Sequence, residues 1–292
     1  MAQSNDIWTI KAALDWTMGY LARKGDASPR VSAQRLMAHA CGLSRIELYT
    51  NLERPLSQNE RAVLRDYVKR RGEGEPLQYI VGTQEFMGLL FRVNPSVLIP
   101  RLDTEILAEK VIDIVKKKGL LKPEILDLCT GSGALGVSIA AKIPDAIVTM
   151  TDVSEAALQT AMSNAGLNGV NRRCIFLLGD MFAAVPDDKH YDVIVCNPPY
   201  IPSAVIGTLD VEVKDHEPRM ALDGGKDGLD YYRVIADQAG MHLKTEGLLA
   251  LEIGAEQAAD VKKLLNKTKS YRDTQVIRDL AGLDRVILAT RK

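Results

Sequence analysis

At 292 residues the chain is long enough for two domains with proper cores. Its 46% hydrophobic and 26% charged residues are ordinary for a globular protein, which excludes a disordered or fibrous chain. A formal net charge of −1 gives no general electrostatic pull toward nucleic acid.

The first part of the chain, up to about Phe86, reads as helices only. Ile10, Leu14, Met18 and Leu21 recur at helical spacing. Ser28-Pro29 is a cap and first turn before a helix that runs to Gly42. Ser44-Arg45-Ile46-Glu47 and Ser57-Gln58-Asn59-Glu60 both fit the capping-box pattern, and the second opens a helix ending near Gly72. The runs Lys69-Arg70-Arg71 and Lys116-Lys117-Lys118 close helix-like segments, where cations are favoured, and read as solvated caps. His39 and Cys41 read as packing or surface residues. Residues 86–97 hold two short apolar runs around Gly88 and Asn94-Pro95, the pattern of a hairpin linker. Residues 104–118 make a helix closed by Gly119. The expected division is therefore a helical bundle over 1–85, a hairpin-and-helix linker over 86–120, and a third region over 121–292.

That third region alternates strands with helices, the pattern of a doubly wound sheet. Residues 125–128 read as a strand, and Gly131 and Gly133 permit a tight turn with close approach of a ligand. Residues 134–143 carry a helical pattern that Pro144 stops. Gly131-x-Gly133-x-x-Gly136 matches the dinucleotide fingerprint, and Asp152 closes the next strand, 146–151, at about the interval of 20 residues that the fingerprint expects. A carboxylate there can accept both hydroxyls of an adenosine ribose. The next strand-like run ends at Asp180-Met181, an acid for the adenine amino group and an apolar side chain for its face. Residues 248–253 and 285–290 supply the last strands. A dinucleotide or S-adenosylmethionine fits such a loop. Asp127, just before the glycines, favours the second: it faces the cofactor's amino-acid end in that reading, whereas a pyrophosphate prefers no carboxylate nearby.

Residues 191–196 form an apolar β-branched run, and Asn197-Pro198-Pro199-Tyr200 stands where that strand stops. The two prolines make a rigid loop with carbonyl acceptors and no N–H. Asn197 adds an amide and Tyr200 a flat face with a polar tip. The set suits a planar, NH₂-bearing group, and it has no role in hydride transfer. An amide nitrogen is a poor nucleophile because its lone pair is delocalised. Acceptors on Asn197 Oδ1 and the Pro198 carbonyl would hold both of its N–H bonds and favour the positive charge that grows during attack. Tyr200 would stack on the amide and border a sulfonium.

The chain resembles the bacterial PrmC/HemK family, protein-(glutamine-N5) methyltransferases that modify class I peptide chain release factors. The resemblance rests on Gln78-Tyr79-Ile80-Val81-Gly82 with Phe86, on Val97-Leu98-Ile99-Pro100-Arg101-Leu102-Asp103-Thr104-Glu105, on the glycine loop, on Asn197-Pro198-Pro199-Tyr200, and on Glu217-Pro218-Arg219 with the glycine-rich run 221–229. It implies a class I S-adenosylmethionine-dependent fold, α/β with a mostly parallel seven-stranded sheet and an antiparallel edge strand, behind an N-terminal helical bundle that docks the protein substrate. It also implies a cofactor site on Asp127, Cys129, Thr130, Gly131, Ser132, Gly133, Asp152, Asp180, Met181 and Asn197. The substrate site falls on Asn197, Pro198, Pro199 and Tyr200, with Arg101, Glu105 and Glu217 as its supports. One departure stands out: the first glycine of the family loop is Cys129 here, and a side chain there needs negative φ or some strain.

The tetrapeptide is shared with enzymes that methylate adenine or guanine amino groups, so a nucleic-acid substrate is the competing reading. No basic, aromatic-rich stretch flanks it, and aromatics are only 5% of the chain. The four cysteines are scattered without disulfide or zinc spacing, and the four histidines show no ligand spacing, so no metal is expected. The first eleven residues lack an apolar signal core, and no apolar run approaches the ~20 residues of a membrane span. The expected protein is a cytoplasmic monomer without direct nucleic-acid or membrane contact, its partners being release factors.

Overall fold

The computed structural model describes residues 8–292; the part of the leader argument that falls on residues 1–7 lies outside it. The chain divides into two compact units, one of residues 8–82 with Asp210–His216, the other of Thr83–Leu209 with Glu217–Lys292.

The first unit is helical. Its helices are α1 (Ile10–Arg23), α2 (Pro29–Cys41), α3 (Arg45–Thr50), α4 (Gln58–Gly72) and α5 (Leu77–Val81). Both capping boxes form: Ser44 with Glu47 opens α3, and Ser57 with Glu60 opens α4. Ser28 occupies the N-cap of α2 without a side-chain cap bond, and Gly42 ends that helix in the left-handed conformation. Ile10, Leu21, Leu36, Met37 and Leu48 are fully buried in its core. His39 bonds Tyr67 through its ring nitrogen at 3.0 Å, and Cys41 is half-buried and free.

The basic run at the end of α4 departs from the solvated cap expected of it. Arg71 is only 7% exposed, and it pairs with Asp26 at 2.7 Å and with Glu212 at 2.6 Å. A helix C-terminus does favour a cation, but the residue one step past Arg70 falls on the inner face, where two carboxylates meet it. Burial raises the Asp26 carboxyl, yet the Arg71 guanidinium and the Ser28 N–H outweigh it and hold it below its usual range.

The second unit opens with a hairpin, β1 (Thr83–Phe86) and β2 (Leu89–Arg92). Helix α5 therefore stops at Gly82, and the all-helical reading overshoots by one short strand. Both turn residues, Met87 and Gly88, have positive φ (54° and 71°), as a twist-matched two-residue hairpin requires. Helix α6 (Leu102–Lys118) follows, then β3 (Glu124–Leu128), α7 (Ala134–Lys142), β4 (Ile147–Asp152), α8 (Glu155–Leu167), β5 (Cys174–Leu178) and β6 (Tyr191–Cys196). The short α9 (Val211–Lys214) belongs to the first unit. Helix α10 (Asp230–His242), β7 (Leu243–Glu252), α11 (Ala258–Thr268), β8 (Tyr271–Arg278) and β9 (Asp284–Arg291) complete the chain.

The seven strands lie in the order β5-β4-β3-β6-β7-β9-β8. The first five are parallel, and β9 runs antiparallel to both β7 and β8. The antiparallel strand is thus inserted between β7 and β8 rather than placed at the edge. Alternate residues feed two cores. Ile125, Val193 and Val195 meet α6 and α7 on one face, while Leu126, Ile194 and Leu249 meet α10 and α11 on the other. No helix of the described residues is long and apolar enough to cross a membrane.

Arg71→Ala leaves Asp26 and Glu212 without their cation, and removing one partner of a buried pair costs about 3–5 kcal/mol. The urea midpoint should fall accordingly at neutral pH. Because the folded Asp26 pKa lies below the unfolded value, its contribution is present above the ordinary carboxylate range and fades as pH falls through the folded value. A loss under about 1 kcal/mol at pH 7 would mean the pair contributes no more than a surface bridge.

Candidate active site

The carboxyl ends of β3, β4 and β6 converge on one cleft, as open parallel sheets favour. The chain leaves β3 through Cys129 at φ 55° and Gly131 at φ 55°, and Gly133 at φ 80° becomes the N-cap of α7. Cys129 therefore does adopt the strained left-handed conformation, with its thiol on Met181 Sδ at 3.3 Å. Gly133 brings no side chain to cap α7, and Asp127 serves in its stead. Asp127 Oδ2 accepts from the Gly136 N–H at 3.0 Å and the Thr130 hydroxyl at 2.6 Å. A Cβ on Gly136 would lie 2.9 Å from that oxygen and 2.6 Å from Met150 Cε, so the last glycine of the fingerprint lets helix and strand close.

Asp127 alternates onto the α7 face of the sheet, is fully buried, and does not line the cleft. Its Oδ1 has no hydrogen-bond partner among the described residues, and burial pushes its carboxyl up to about 7. Asp152 does line the cleft. Its Oδ2 accepts from the Gly131 N–H and its Oδ1 from the Ser154 N–H, each at 2.9 Å, which fixes the carboxylate at the mouth of β4. Burial raises its pKa. Lone pairs beyond those two amides remain for a vicinal diol. Cys129, Thr130, Gly131, Ser132, Asp180 and Met181 also line the cleft, whereas Gly133 does not. Asp180 is exposed and Met181 buried, an acid and an apolar surface side by side. This donor set fits an adenosine: acid for the ribose, acid for an amino group, and a thioether against a base.

Asn197 and Pro199 line the cleft directly below the end of β6. Asn197 Nδ2 donates to Thr104 Oγ1 at 3.2 Å, which leaves Oδ1 as its unused acceptor. Tyr200 is half-buried, and its hydroxyl donates to Glu252 Oε1 at 3.3 Å. Burial, then the Glu252 charge, raise the Tyr200 hydroxyl pKa. The Tyr200 carbonyl accepts from Gln257 Nε2 at 3.0 Å, and the same nitrogen reaches the Gly228 carbonyl at 3.1 Å. A Cβ on Gly228 would sit 2.3 Å from the Tyr200 carbonyl, so the glycine-rich run 221–229 is glycine-rich where it lies flat on the tetrapeptide's backbone.

The three expected supports separate. Arg101 lines the cleft and pairs with buried Glu217, whose Oε2 also accepts from the Ile99 N–H at 3.2 Å. Glu105 lies elsewhere: its Oε1 accepts from the Met87 N–H at 2.5 Å and holds the strained hairpin turn. Thr104, Glu252 and Gln257 are site residues the sequence reading passed over. A charged residue closing an apolar strand, as Glu252 closes β7, was the available signal. Among the described residues no cluster of three His, Cys, Asp or Glu side chains could hold a metal ion.

Family models match along the chain, the PrmC N-terminal domain over residues 12–82 and the methyltransferase small domain over residues 98–209. A release factor glutamine methyltransferase of Geobacter sulfurreducens is 42% identical over 98% of both chains. One of Moorella thermoacetica is 43% identical over 97% of this chain and 99% of its own. The chain belongs to the release factor glutamine methyltransferase family. A solved methyltransferase from Pyrococcus furiosus, 22% identical over 70% of this chain and 89% of its own, has a TM-score of 0.51, a likeness of fold alone.

Cys129→Gly removes a side chain from a left-handed backbone, worth roughly 1–2 kcal/mol, and gives up the sulfur contact to Met181. We expect a net gain of about 1 kcal/mol in unfolding free energy, read as a higher urea midpoint, with S-adenosylhomocysteine affinity held within about threefold. A net loss of stability would show that the thiol's packing outweighs the strain.

Proposed function

We propose that the chain transfers a methyl group from S-adenosyl-L-methionine to the side-chain amide nitrogen of the glutamine in the Gly-Gly-Gln motif of class I release factors. The observation that carries the reading is the Asn197 amide, turned by Thr104 so that its oxygen is the free acceptor at the cleft. The full-length relatives named for release-factor glutamine methylation favour it over a nucleic-acid amino group.

Asp152 would hold the ribose, Asp180 and Met181 the adenine, and the loop 129–133 the remainder of the cofactor. Bound there, the cofactor supplies an electrophilic methyl on a sulfonium. Asn197 Oδ1 and the Pro198 carbonyl accept the two substrate N–H bonds and hold the nitrogen for in-line attack, so the site acts by orientation. The same acceptors stabilise the positive charge that develops on nitrogen, and the proton leaves after transfer. The Tyr200 ring borders both groups while its hydroxyl is held by Glu252. We place the enzyme in the cytoplasm as a monomer, with release factors as its partners and no direct contact with nucleic acid or membrane.

Incubation of the enzyme with cofactor and an intact release factor should add one methyl to the Gly-Gly-Gln peptide, read by mass spectrometry. Asn197→Ala should lower turnover by on the order of 10²–10³-fold with S-adenosylhomocysteine affinity within a few-fold. A folded variant that keeps more than about a tenth of turnover would refute the role given to Asn197.

The helical bundle, assigned to 1–85, is proposed to dock the release factor outside its methylated loop. Among the described residues it contributes none of those that line the cleft. A chain beginning at Thr83 should still bind S-adenosylhomocysteine but show a raised KM for intact factor, since docking contacts act on ground and transition states alike. Equal KM values for the two chains would remove the docking role.

A further inference from the structure

Helix α8 has an asparagine in its interior, a residue that competes for backbone hydrogen bonds and forms helix poorly. That residue, Asn164, is fully buried, and a buried amide must be hydrogen-bonded. Its Oδ1 accepts from the Arg92 N–H at 2.7 Å. Its Nδ2 donates to the Arg92 carbonyl at 3.0 Å and to the Ser132 carbonyl at 2.8 Å. Both Nδ2 protons are thus used, on two segments that lie far apart in the chain.

The first segment is a sheet edge. Strand β2 has one strand neighbour, β1, so the backbone groups on its other side need partners elsewhere. Helix α8 and its C-cap supply them at a regular interval. Asn168 Nδ2 donates to the Leu90 carbonyl at 3.0 Å, Asn164 takes both backbone groups of Arg92, and Asn94 Nδ2 donates to Thr160 Oγ1 at 3.1 Å. Two steps along the strand match four along the helix. Those steps span about 6.8 Å and about 6 Å, so the two rows keep in register. Of the three ties, the one through Asn164 also bonds the glycine loop, at Ser132, which lines the cleft. The loop rests on the same helix: a Cβ on Gly133 would lie 3.1 Å from Ala161 Cβ, three residues before Asn164.

We propose that Asn164 is a positioning residue for the cofactor: it ties the loop that seats the cofactor to the outer edge of the β1–β2 hairpin, so that cofactor binding and hairpin order are coupled. The inference rests on the reading of loop 129–133 as the cofactor's seat. Asn164 does not line the cleft and acts through the Ser132 carbonyl. Leu90 and Arg92 do not line it either, so the Arg92 amide reports the tie and not direct contact. Such coupling is reciprocal: what the hairpin lends to the loop, the bound cofactor returns to the hairpin.

In the unaltered full chain, S-adenosylhomocysteine should slow hydrogen exchange of the Arg92 amide by about threefold or more. Asn164→Ala should weaken S-adenosylhomocysteine binding by roughly 5- to 150-fold, the range over which coupled sites act, with KM for intact release factor within about threefold. Asn168→Ala removes a neighbouring tie to the same strand edge and should keep cofactor affinity within about threefold, which separates the Ser132 tie from a general loosening of α8. An Arg92 exchange rate that cofactor leaves unchanged would overturn the proposal without any variant, and it decides the matter if thermal melts show Asn164→Ala unfolded. A folded Asn164→Ala with affinity within about threefold of the unaltered chain would also overturn it, as would equal losses from Asn164→Ala and Asn168→Ala. Asp152→Ala tests the premise apart. If that variant bound S-adenosylhomocysteine as the unaltered chain does, the cofactor's placement would fall first. If it bound weakly while Asn164→Ala did not, the placement would stand and the role given to Asn164 alone would fall.

Discussion

One hydrogen bond, from the Gly136 N–H to Asp127 Oδ2, ties the site to the sheet. Helix α7 begins on Gly133, which brings no side-chain cap. The missing cap comes from the strand that precedes the turn. Asp127 is thus tied at once to β3, to the Thr130 hydroxyl and to the first turn of α7. The loop between them has little freedom left. Its remaining amide of interest, Gly131 N–H, is taken by Asp152 on the neighbouring strand. Two carboxylates on adjacent parallel strands therefore shape the loop, with the Thr130 hydroxyl bound to one of them.

Burying acids has a cost that falls in a definite pH window. The Asp127 and Glu252 carboxyls are both pushed up to about 7 by burial. Their folded pKa values exceed the unfolded ones, so folding binds protons between the two, and both groups lose stability as pH rises from about 4 toward 7. Asp127 bears that cost as the cap of α7, and Glu252 as the acceptor of the Tyr200 hydroxyl. The strain at Cys129 belongs to the same account: backbone and charge are both held away from their cheapest states around one cleft.

The fold was largely legible because its cues are local. The strand over 191–196 matches its predicted bounds, the helix predicted over 104–118 ends where expected and begins two residues earlier at Leu102, and both capping boxes form with the residues named. Strand β8 escaped. Its sequence, Tyr271-Arg272-Asp273-Thr274-Gln275-Val276-Ile277-Arg278, is polar because it is an edge strand, and a register shift with Asp273 at φ 52° breaks its alternation. Arg71 was misread for a different reason: the sequence indicates that a cation ends a helix, but Asp26 and Glu212 are 45 and 141 positions away along the chain.

The site was legible in its outer layer and not in its inner one. Asn197, Asp152 and Asp180 stand in motifs whose spacing carries chemistry, and they do line one cleft. Asp127 belongs to the same motif yet turns away from the cleft, since the period of two along β3 sends it to the face that carries α7. Glu105 and Glu217 sit in equally suggestive segments, but one serves a hairpin and the other a loop near Arg101. Thr104 stands in the segment 97–105 without a signal of its own role, and Glu252 stands in no motif; the β6–β7 register, with Cys196 opposite Leu251, is what brings Glu252 level with Asn197. A motif names the groups that touch a ligand. The groups that hold those touching residues are chosen by topology, and here topology places a buried acid, Glu252, one strand over from Asn197 and in reach of the Tyr200 hydroxyl.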